Sequence, residues 1–380
     1  MLGAPARGGG SGAEAEPPAM LPNATADTRT SAGPSGNVHV FCPRAGPRVP
    51  WADRPHRLRA GFAYLDGALR ALESEIGPQG LTFFIKQVTI ESRDLTSLPR
   101  YGNDVVAILV GDEWARPIHF GSRVRAAFKE YGVTLARPDG ISLADPIRSL
   151  LSAAQFSRNL AVRTPLLLRS LHGAAVRHGP PAVPIPLGYL NQRELPIRPF
   201  DQRDVDVCFA GSVAHERYRT LSPQRVAGTV KSRSRAAMLN ALERFRARNP
   251  RCRIDVGLTA SYRSSADGDM GEYADRLMRA RICLCPRGMS LETYRYFEAM
   301  RYGCIVIAER CPDHWFYRES PAIVVNEWTR LEGVLSDLLG DPDRMRRVHA
   351  ASLTYWTEVC SERALAKYMA GILAATAVRH

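Results

Sequence analysis

The chain has 380 residues, of which 45% are hydrophobic and 23% are charged, so it is long and apolar enough for two globular domains with real cores. It contains no apolar run of about 18 residues, so we expect no membrane-spanning helix. The formal net charge of +13 predicts an anionic partner: nucleic acid, an anionic membrane surface or a phosphorylated small molecule.

The eight cysteines lie mostly inside apolar runs such as DVCFAG and ICLCP. The sequence has no CxxC pair and no Cys/His cluster with zinc spacing, which indicates buried thiols in a reducing compartment and no zinc site. The N-terminus lacks a basic start followed by an apolar stretch, so we do not expect a secretory signal. These features together predict a cytoplasmic protein without stable membrane insertion.

Residues 1–37 are rich in Gly, Ala, Pro, Ser and Thr, and such a segment is expected to be disordered. Strand-like and helix-like segments then alternate over residues 38–190. The predicted strands are NVHVFCP, LTFFIKQV and NDVVAILVGDE, and the predicted helices are RLRAGFAYLDGALRALESEI and SRVRAAFKEYG. Short apolar runs bounded by Gly, Pro and Asp are typical of buried parallel strands. We therefore predict a Rossmann-like N-terminal domain over these residues.

The segment from Gly179 to Arg203 is dense in proline, which disfavours helices and central strands, so we place the hinge between two domains there. A second alternating series predicts a second Rossmann-like domain over residues 191–360. Residues 361–380 form a predicted C-terminal helix that could pack back across the hinge. The predicted fold is thus α/β, with two Rossmann-like domains facing across a cleft and ligands at the carboxyl ends of the strands.

A dense group of charges follows the strand-like run that ends at Cys285, in CPRGMSLETYRYFEAMRYG. Gly288 permits a tight turn, and Ser290 is a good N-cap for the helix that follows. A helix N-terminus offers free N–H groups to an anion, and Arg287, Ser290 and Thr293 add donors. A diphosphate suits this pocket, whereas Glu292 is explained by the helix dipole alone.

Glu298 is harder to assign from spacing. It lies two helical turns after Leu291, beside Arg295, where a carboxylate can accept hydrogen bonds from two ribose hydroxyls. An i,i+3 pair with Arg295 or a solvated position explains it as well.

The string CPRG, ET-x-R-x-FEA and RYGCIVI resembles the exostosin-type (GT47) glycosyltransferases and their bacterial soluble relatives. The upstream string IPLGY…PF…R…DVCFAGS…H…R resembles the hinge and first C-terminal strand of the same proteins. The resemblance covers residues 184–325 well, whereas residues 38–180 resemble the family in architecture only.

The resemblance implies a GT-B fold in which residues 38–190 form the acceptor-side domain and residues 191–360 the nucleotide-sugar-binding domain. It also implies a nucleotide-diphosphate sugar as co-substrate, inversion at the anomeric carbon and no cofactor or catalytic metal. Arg287, Ser290 and Thr293 then look like the diphosphate contacts. Arg295 and Glu298 look like later donor contacts, with Glu298 on the ribose. Asp267-Gly268-Asp269 matches a D-x-D motif, but it sits in a polar loop, and we do not assign a metal to it.

A loop after the strand DVCFAGS carries His215, Arg217 and Arg219, and we predict that Arg217 contacts the donor phosphate with its fork of donors. The basic excess is heaviest from Arg217 to Arg253, so nucleic-acid binding is a rival interpretation. That stretch lacks the interleaved aromatics on which single-stranded bases stack. Non-specific, salt-sensitive phosphate binding stays open.

In the N-terminal half, the strand VVAILV leads into Asp112-Glu113-Trp114. A carboxylate at this strand end would face the cleft and remove a proton from an acceptor hydroxyl, so Asp112 and Glu113 are candidate general bases. Alternatively, Asp112 caps the next element or pairs with Arg116.

The sequence as a whole predicts a metal-independent glycosyltransferase that acts on a glycan or small-molecule acceptor. Three alternatives remain: a GT-B-like nucleotide-sugar epimerase, a basic nucleic-acid-binding protein and a non-catalytic relative that binds the nucleotide only.

Overall fold

The computed structural model describes residues 36–55, 60–88, 97–118, 120–133, 145–173, 182–190, 196–213, 228–259 and 270–377. These residues form two β-sheets, each flanked by helices. Every strand pair in the two sheets is parallel except the first hairpin. The predicted α/β architecture with two parallel sheets is confirmed.

The N-terminal sheet has the strand order β2-β1-β3-β4-β5-β6. Its strands are β1 Val38–Cys42, β2 Val49–Pro50, β3 Thr82–Gln87, β4 Gly102–Val110, β5 Val124–Glu130 and β6 Val183–Ile185. β4 lies in the middle of the sheet, and its last six residues are all buried. Position in the sheet thus explains the unbroken apolar run of β4.

Two segments differ from the sequence-based prediction. SRVRAAFKEYG was predicted to be a helix, and this prediction was wrong because most of it forms β5, in which six of the seven residues are buried. Parallel pairing with β4 and β6 outweighs the helix propensity of Arg, Ala, Lys and Glu. The proline-rich segment supplies β6, which is tolerated because β6 is an edge strand.

The C-terminal sheet has the order β11-β10-β9-β7-β8. Its strands are β7 Val205–Ser212, β8 Ile254–Thr259, β9 Ala280–Cys285, β10 Ile305–Glu309 and β11 Ile323–Val325. The strand order reverses between β7 and β9, because β8 lies to one side of β7 and the later strands lie to the other. In sheets of this kind a ligand crevice opens at the carboxyl ends of the two strands that flank the reversal.

The helices cover both sheets and join the two halves. They are α1 Ala63–Ile76, α2 Pro146–Gly173, α3 Val230–Arg248, α4 Met270–Arg279, α5 Tyr294–Arg301, α6 Leu331–Leu339, α7 Pro342–Tyr355 and α8 Glu362–Ala377. None of these helices is both long and apolar enough to span a bilayer. The long helix α2 was not predicted from the sequence.

The C-terminal helix α8 packs on the N-terminal half. It lies against α1, and the Arg125 side chain donates to the Leu373 carbonyl at 3.0 Å. Just before α8, the Cys360 carbonyl accepts from the Tyr64 hydroxyl at 2.7 Å. One apolar cluster runs from the N-terminal sheet and α1 through α8 to β9 and α5. Both halves therefore share a core. Their strand ends meet along a boundary, here called the seam, where Gly132 at the end of β5 contacts His314 of the C-terminal half.

Candidate functional site

The carboxyl ends of β7 and β9 bring two arginines together. β7 ends in Gly211 and Ser212, and the side chains of Arg235 from α3 and Arg295 from α5 reach this strand end. A Cβ on Gly211 would overlap the Arg295 guanidinium and lie 3.3 Å from Nη1 of Arg235. Gly211, with φ of 156°, is therefore required for this close approach.

Both guanidinium groups are buried, because Arg235 is 5% exposed and Arg295 is 9% exposed. Arg235 donates to the Ser212 carbonyl at 2.6 Å, but its Nε has no hydrogen-bond partner, and neither do Nε and Nη1 of Arg295. Among the described residues, neither arginine forms an ion pair with a carboxylate. Burial and then the neighbouring Arg295 lower the pKa of Arg235 to about 9. Glu309 acts on Arg235 and Glu298 acts on Arg295 from beyond ion-pair distance. Two buried cations that form no ion pair with a described carboxylate still make a favourable anion site.

The N-terminus of α3 adds donors to the same strand end. Thr229 and Ser232 form a capping box, and Lys231 Nζ donates to Ser212 Oγ at 3.3 Å. Because a helix N-terminus carries a partial positive charge, it reinforces the field of the two arginines. Arg217, the predicted phosphate contact in the preceding loop, lies outside the described residues.

The segment after β9 is placed differently from its prediction. Ser290 was predicted to be the N-cap of α5, but this is wrong because α5 begins at Tyr294 and Thr293 occupies the N-cap position without a side-chain hydrogen bond. Ser290 Oγ instead accepts from the backbone N–H of Glu292 at 3.0 Å, which closes a turn. Glu292 therefore lies outside the helix, and the helix dipole does not explain it.

Arg287 and Gly288 lie in the turn that precedes Ser290. Arg287 is buried and donates to the Gln155 side chain of α2 at 3.3 Å, so α2 helps to position it. A Cβ on Gly288 would lie 3.2 Å from the Glu292 carbonyl, which shows how tightly the turn folds. The role of both residues as donor contacts stays a prediction.

Glu298 lies on the buried side of α5 and is 5% exposed. Its Oε1 accepts from the Leu190 N–H at 3.1 Å, and its Oε2 accepts from the Tyr273 hydroxyl at 3.0 Å. The solvated alternative is therefore wrong. The contact of Glu298 with a ribose stays a prediction.

At the end of β4, Asp112 is fully buried and already paired. Its oxygens lie 2.8 Å from Arg116 Nε and 2.9 Å from Lys129 Nζ. Burial raises the pKa of Asp112, but the charges of Lys129 and Arg116 outweigh it and hold this pKa below its ordinary value. This geometry supports the ion-pair alternative rather than a general base. Glu113 is only half-buried at the same strand end, and its role stays a prediction.

Two further carboxyl groups were not predicted as site residues. Glu130 ends β5, where its Oε2 accepts from the Gly111 N–H at 2.8 Å, and Glu292 lies across the seam in the C-terminal half. Burial raises the pKa of each of them to about 8. Glu130 was missed because its segment was predicted to be a helix, and Arg235 because it lies in an arginine run whose default interpretation is a solvated face. The available signal was the position of Arg235 in the second turn of α3, close to the helix N-terminus.

The described residues also bear on the metal and nucleic-acid interpretations. They contain no group of three or more His, Cys, Asp or Glu side chains that could hold a metal ion. The D-x-D-like Asp267-Gly268-Asp269 lies outside the described residues, so the absence of a metal stays a prediction. In the basic stretch, Arg244 and Arg248 both pair with Glu332, at 2.8 and 2.6 Å, so part of this charge is neutralised within the fold.

Residues 203–374, just under half of the chain, match the family model described as the RXYLT1 C-terminal domain. This match supports an exostosin-like C-terminal half and a glycosyltransferase. A search of the curated proteins found no match.

Three solved structures with which the chain aligns have low scores. The crystal structure of the GtfA/B complex aligns at 11% identity and a TM-score of 0.38, over 72% of this chain and 58% of that one. The crystal structure of TarM aligns at 8% identity and a TM-score of 0.39, over 80% of this chain and 57% of that one. A DNA-modifying β-glucosyltransferase aligns at 10% identity and a TM-score of 0.39, over 89% of this chain and 99% of that one. The chain thus spans less than two thirds of the first two, and these scores carry no information about its reaction.

Proposed function

We propose that the protein is a glycosyltransferase of the exostosin-like, GT-B type, which moves a sugar from a nucleotide-diphosphate sugar to a glycan or small-molecule acceptor. The observation that carries this proposal is the pair of buried arginines, Arg235 and Arg295, at the carboxyl ends of β7 and β9, neither of which forms an ion pair with a described carboxylate. The match of residues 203–374 to the RXYLT1 C-terminal domain supports the same function.

The main contribution of this site to the transfer is its positive charge. When the bond between the anomeric carbon and the diphosphate breaks, negative charge develops on the departing oxygen. Arg235 and Arg295 are held in place before the reaction and are shielded from water, so they stabilise that charge without reorganising. Arg287, Ser290, Thr293 and the undescribed Arg217 are proposed as further diphosphate contacts, and Glu298 as the ribose contact.

The remaining parts of the proposal come from the exostosin resemblance. We propose inversion at the anomeric carbon and a reaction that needs no metal ion or other cofactor. We also propose that the acceptor binds against the N-terminal half, in a cytoplasmic protein of the GT47 type. The strand ends of the N-terminal sheet lie along the seam that an acceptor would occupy.

The test is thermal unfolding of the full chain with UDP, GDP, ADP and dTDP. A nucleotide at about a hundred times its dissociation constant stabilises a protein by about 2.7 kcal/mol. We expect one base to raise Tm in the wild type and the effect to weaken in Arg295→Gln. Arg248→Gln is the matched control, because Arg248 is exposed and pairs with Glu332.

Other outcomes contradict the proposal in distinct ways. Stabilisation by oligonucleotides but by none of the four nucleotides would favour nucleic-acid binding. Isomerisation of a bound nucleotide sugar without transfer would favour an epimerase. Nucleotide binding without release or transfer of the sugar would indicate a non-catalytic relative.

A further inference from the structure

The two halves of the protein are in contact where β5 ends. Gly132, with φ of 53°, faces His314 of the C-terminal half, and a Cβ on this glycine would lie 2.6 Å from the imidazole Cε1. Nε2 of the same imidazole lies 3.8 Å from Oε2 of Glu292. A carboxyl–imidazole pair of the C-terminal half thus stands against the strand end of the N-terminal half.

Glu292 differs from the other buried carboxyls near the seam. It is 4% exposed, and in the part of the chain that the structure describes neither its Oε1 nor Nε2 of His314 has a hydrogen-bond partner. In contrast, Glu130 accepts from Gly111, and Glu298 accepts from Leu190 and Tyr273. An unsatisfied buried carboxyl is costly, so native proteins retain one where a ligand or a reaction uses it.

Glu292 lies on the chain segment that also supplies the anion site. The segment that joins β9 to α5 contains Arg287, then Glu292, and Arg295 three residues later. The same short segment therefore supplies an arginine to the anion site and a carboxyl to the seam. Across the seam, Tyr131 has φ of 60°, a left-handed conformation that is rare outside glycine and concentrates at functional sites.

We propose that Glu292 is the general base of the transfer, an inference that rests on the proposed function. Its carboxylate takes the proton of the acceptor hydroxyl while that oxygen bonds to the anomeric carbon of the donor sugar. The bond from this carbon to the diphosphate oxygen breaks, and its electron pair leaves with the nucleoside diphosphate on Arg235 and Arg295. The products are the glycoside, the nucleoside diphosphate and a protonated Glu292.

The surroundings of Glu292 suit a base that works near neutral pH. Burial raises its pKa to about 8, the nearby Tyr317 hydroxyl and the Lys129 charge oppose this rise, and Glu130 adds to it. Burial also lowers the pKa of His314 to about 4, so the imidazole is neutral. A base is most effective when its pKa is near the working pH. The titratable groups that face Glu292 are Lys129, Glu130, Tyr131, Cys311, His314 and Tyr317.

The test compares Glu292→Gln, which keeps the shape of the side chain, with Glu130→Gln, which removes a second buried carboxyl of raised pKa. The assay uses the full chain and UDP-, GDP-, ADP- and dTDP-sugars, with water as acceptor, and measures release of the nucleoside diphosphate. We expect Glu292→Gln to lower kcat by about 10²–10⁴-fold. Nucleotide Kd should change less than about twofold in either variant, and Glu130→Gln should retain its rate. In the wild type, kcat/KM should fall as the pH drops below about 8, and Glu292→Gln should lose this dependence.

Each other outcome overturns the inference. A Glu292→Gln rate within about threefold of the wild type, or an unchanged pH profile, excludes Glu292 as the base. Equal losses of nucleotide binding and rate assign it a structural role. If the wild type binds no nucleotide and releases no diphosphate, the proposed function fails first, and this inference fails with it.

Discussion

Two strand-end regions of this protein bury cations, and they differ in what neutralises those cations. At the end of β4, Arg116 and Lys129 both contact the carboxylate of Asp112, at 2.8 and 2.9 Å. At the ends of β7 and β9, Arg235 and Arg295 face each other without a carboxylate partner among the described residues. The first arrangement satisfies itself within the fold, whereas the second becomes satisfied only when an anion binds.

Burial and charge alone therefore do not identify a ligand-binding site. Asp112 was a candidate because it ends a buried strand, yet its partners explain it completely as part of an ion-pair network. Arg235 was passed over because it lies in a run of arginines, yet it forms no ion pair with a carboxylate of the described residues. The deciding observation in both cases is the set of hydrogen-bond partners, which depends on residues far away in the sequence.

The largest effect is expected from a substitution at the end of β4, where the buried charges are paired. Asp112→Asn leaves the fully buried Lys129 without its counter-charge, so we expect the free energy of unfolding to fall by about 3–5 kcal/mol. Urea unfolding measures this loss. Variant protein that still folds at low temperature should keep its nucleotide Kd, and a selective loss of binding would return Asp112 to the site.

A change in the unpaired region should have the opposite pattern. Arg295→Gln removes a charge that interacts with the bound diphosphate, so we expect nucleotide affinity to fall by at least about 2 kcal/mol, or about thirtyfold. Stability without ligand should stay the same or rise, because a buried unpaired cation is removed. Calorimetric titration and urea unfolding measure the two effects. A stability loss as large as that of Asp112→Asn would contradict the distinction between the regions.

The seam between the regions should make stability depend on pH. Glu130 has a pKa of about 8 in the folded protein against an ordinary value of 4.5, so the folded state binds its proton more tightly than the unfolded state does. This contribution is complete below about pH 4.5 and is lost as the pH rises through about 8. Between pH 6 and pH 8 we expect the wild type to lose about 2 kcal/mol more than Glu130→Gln. Equal losses in urea unfolding at the two pH values would show that Glu130 is not protonated in the fold.

The smallest effect is expected at the surface. Arg248 is exposed and pairs with Glu332 at 2.6 Å, and solvent screens such a pair. Arg248→Gln should therefore change stability by less than about 1 kcal/mol, and its nucleotide Kd should match the wild type. A marked loss of nucleotide affinity would place the anion site on the arginine-rich surface instead.

Local sequence patterns predicted much of the architecture. Apolar runs bounded by Gly, Pro and Asp identified β1, β3, β4, β7 and β9 because buried parallel strands need apolar residues on both faces. The same reasoning failed at β5, whose Arg, Ala, Lys and Glu residues favour a helix in isolation. Pairing with two neighbouring strands overrides that preference, and no local pattern records which strands will be neighbours.

The alternation of strands and helices, the basic excess and the concentration of charge after β9 could all be predicted from the sequence. Each of these features follows from residues that are close along the chain. Only the tertiary structure decided which charges are paired. Asp112 forms an ion pair with Lys129, Arg235 lies beside the like-charged Arg295, and the Glu292 carboxyl lies beside the His314 imidazole. Each pair joins separate elements, and the electrostatic energy of a buried group depends on the atoms around it in space rather than on its neighbours in sequence.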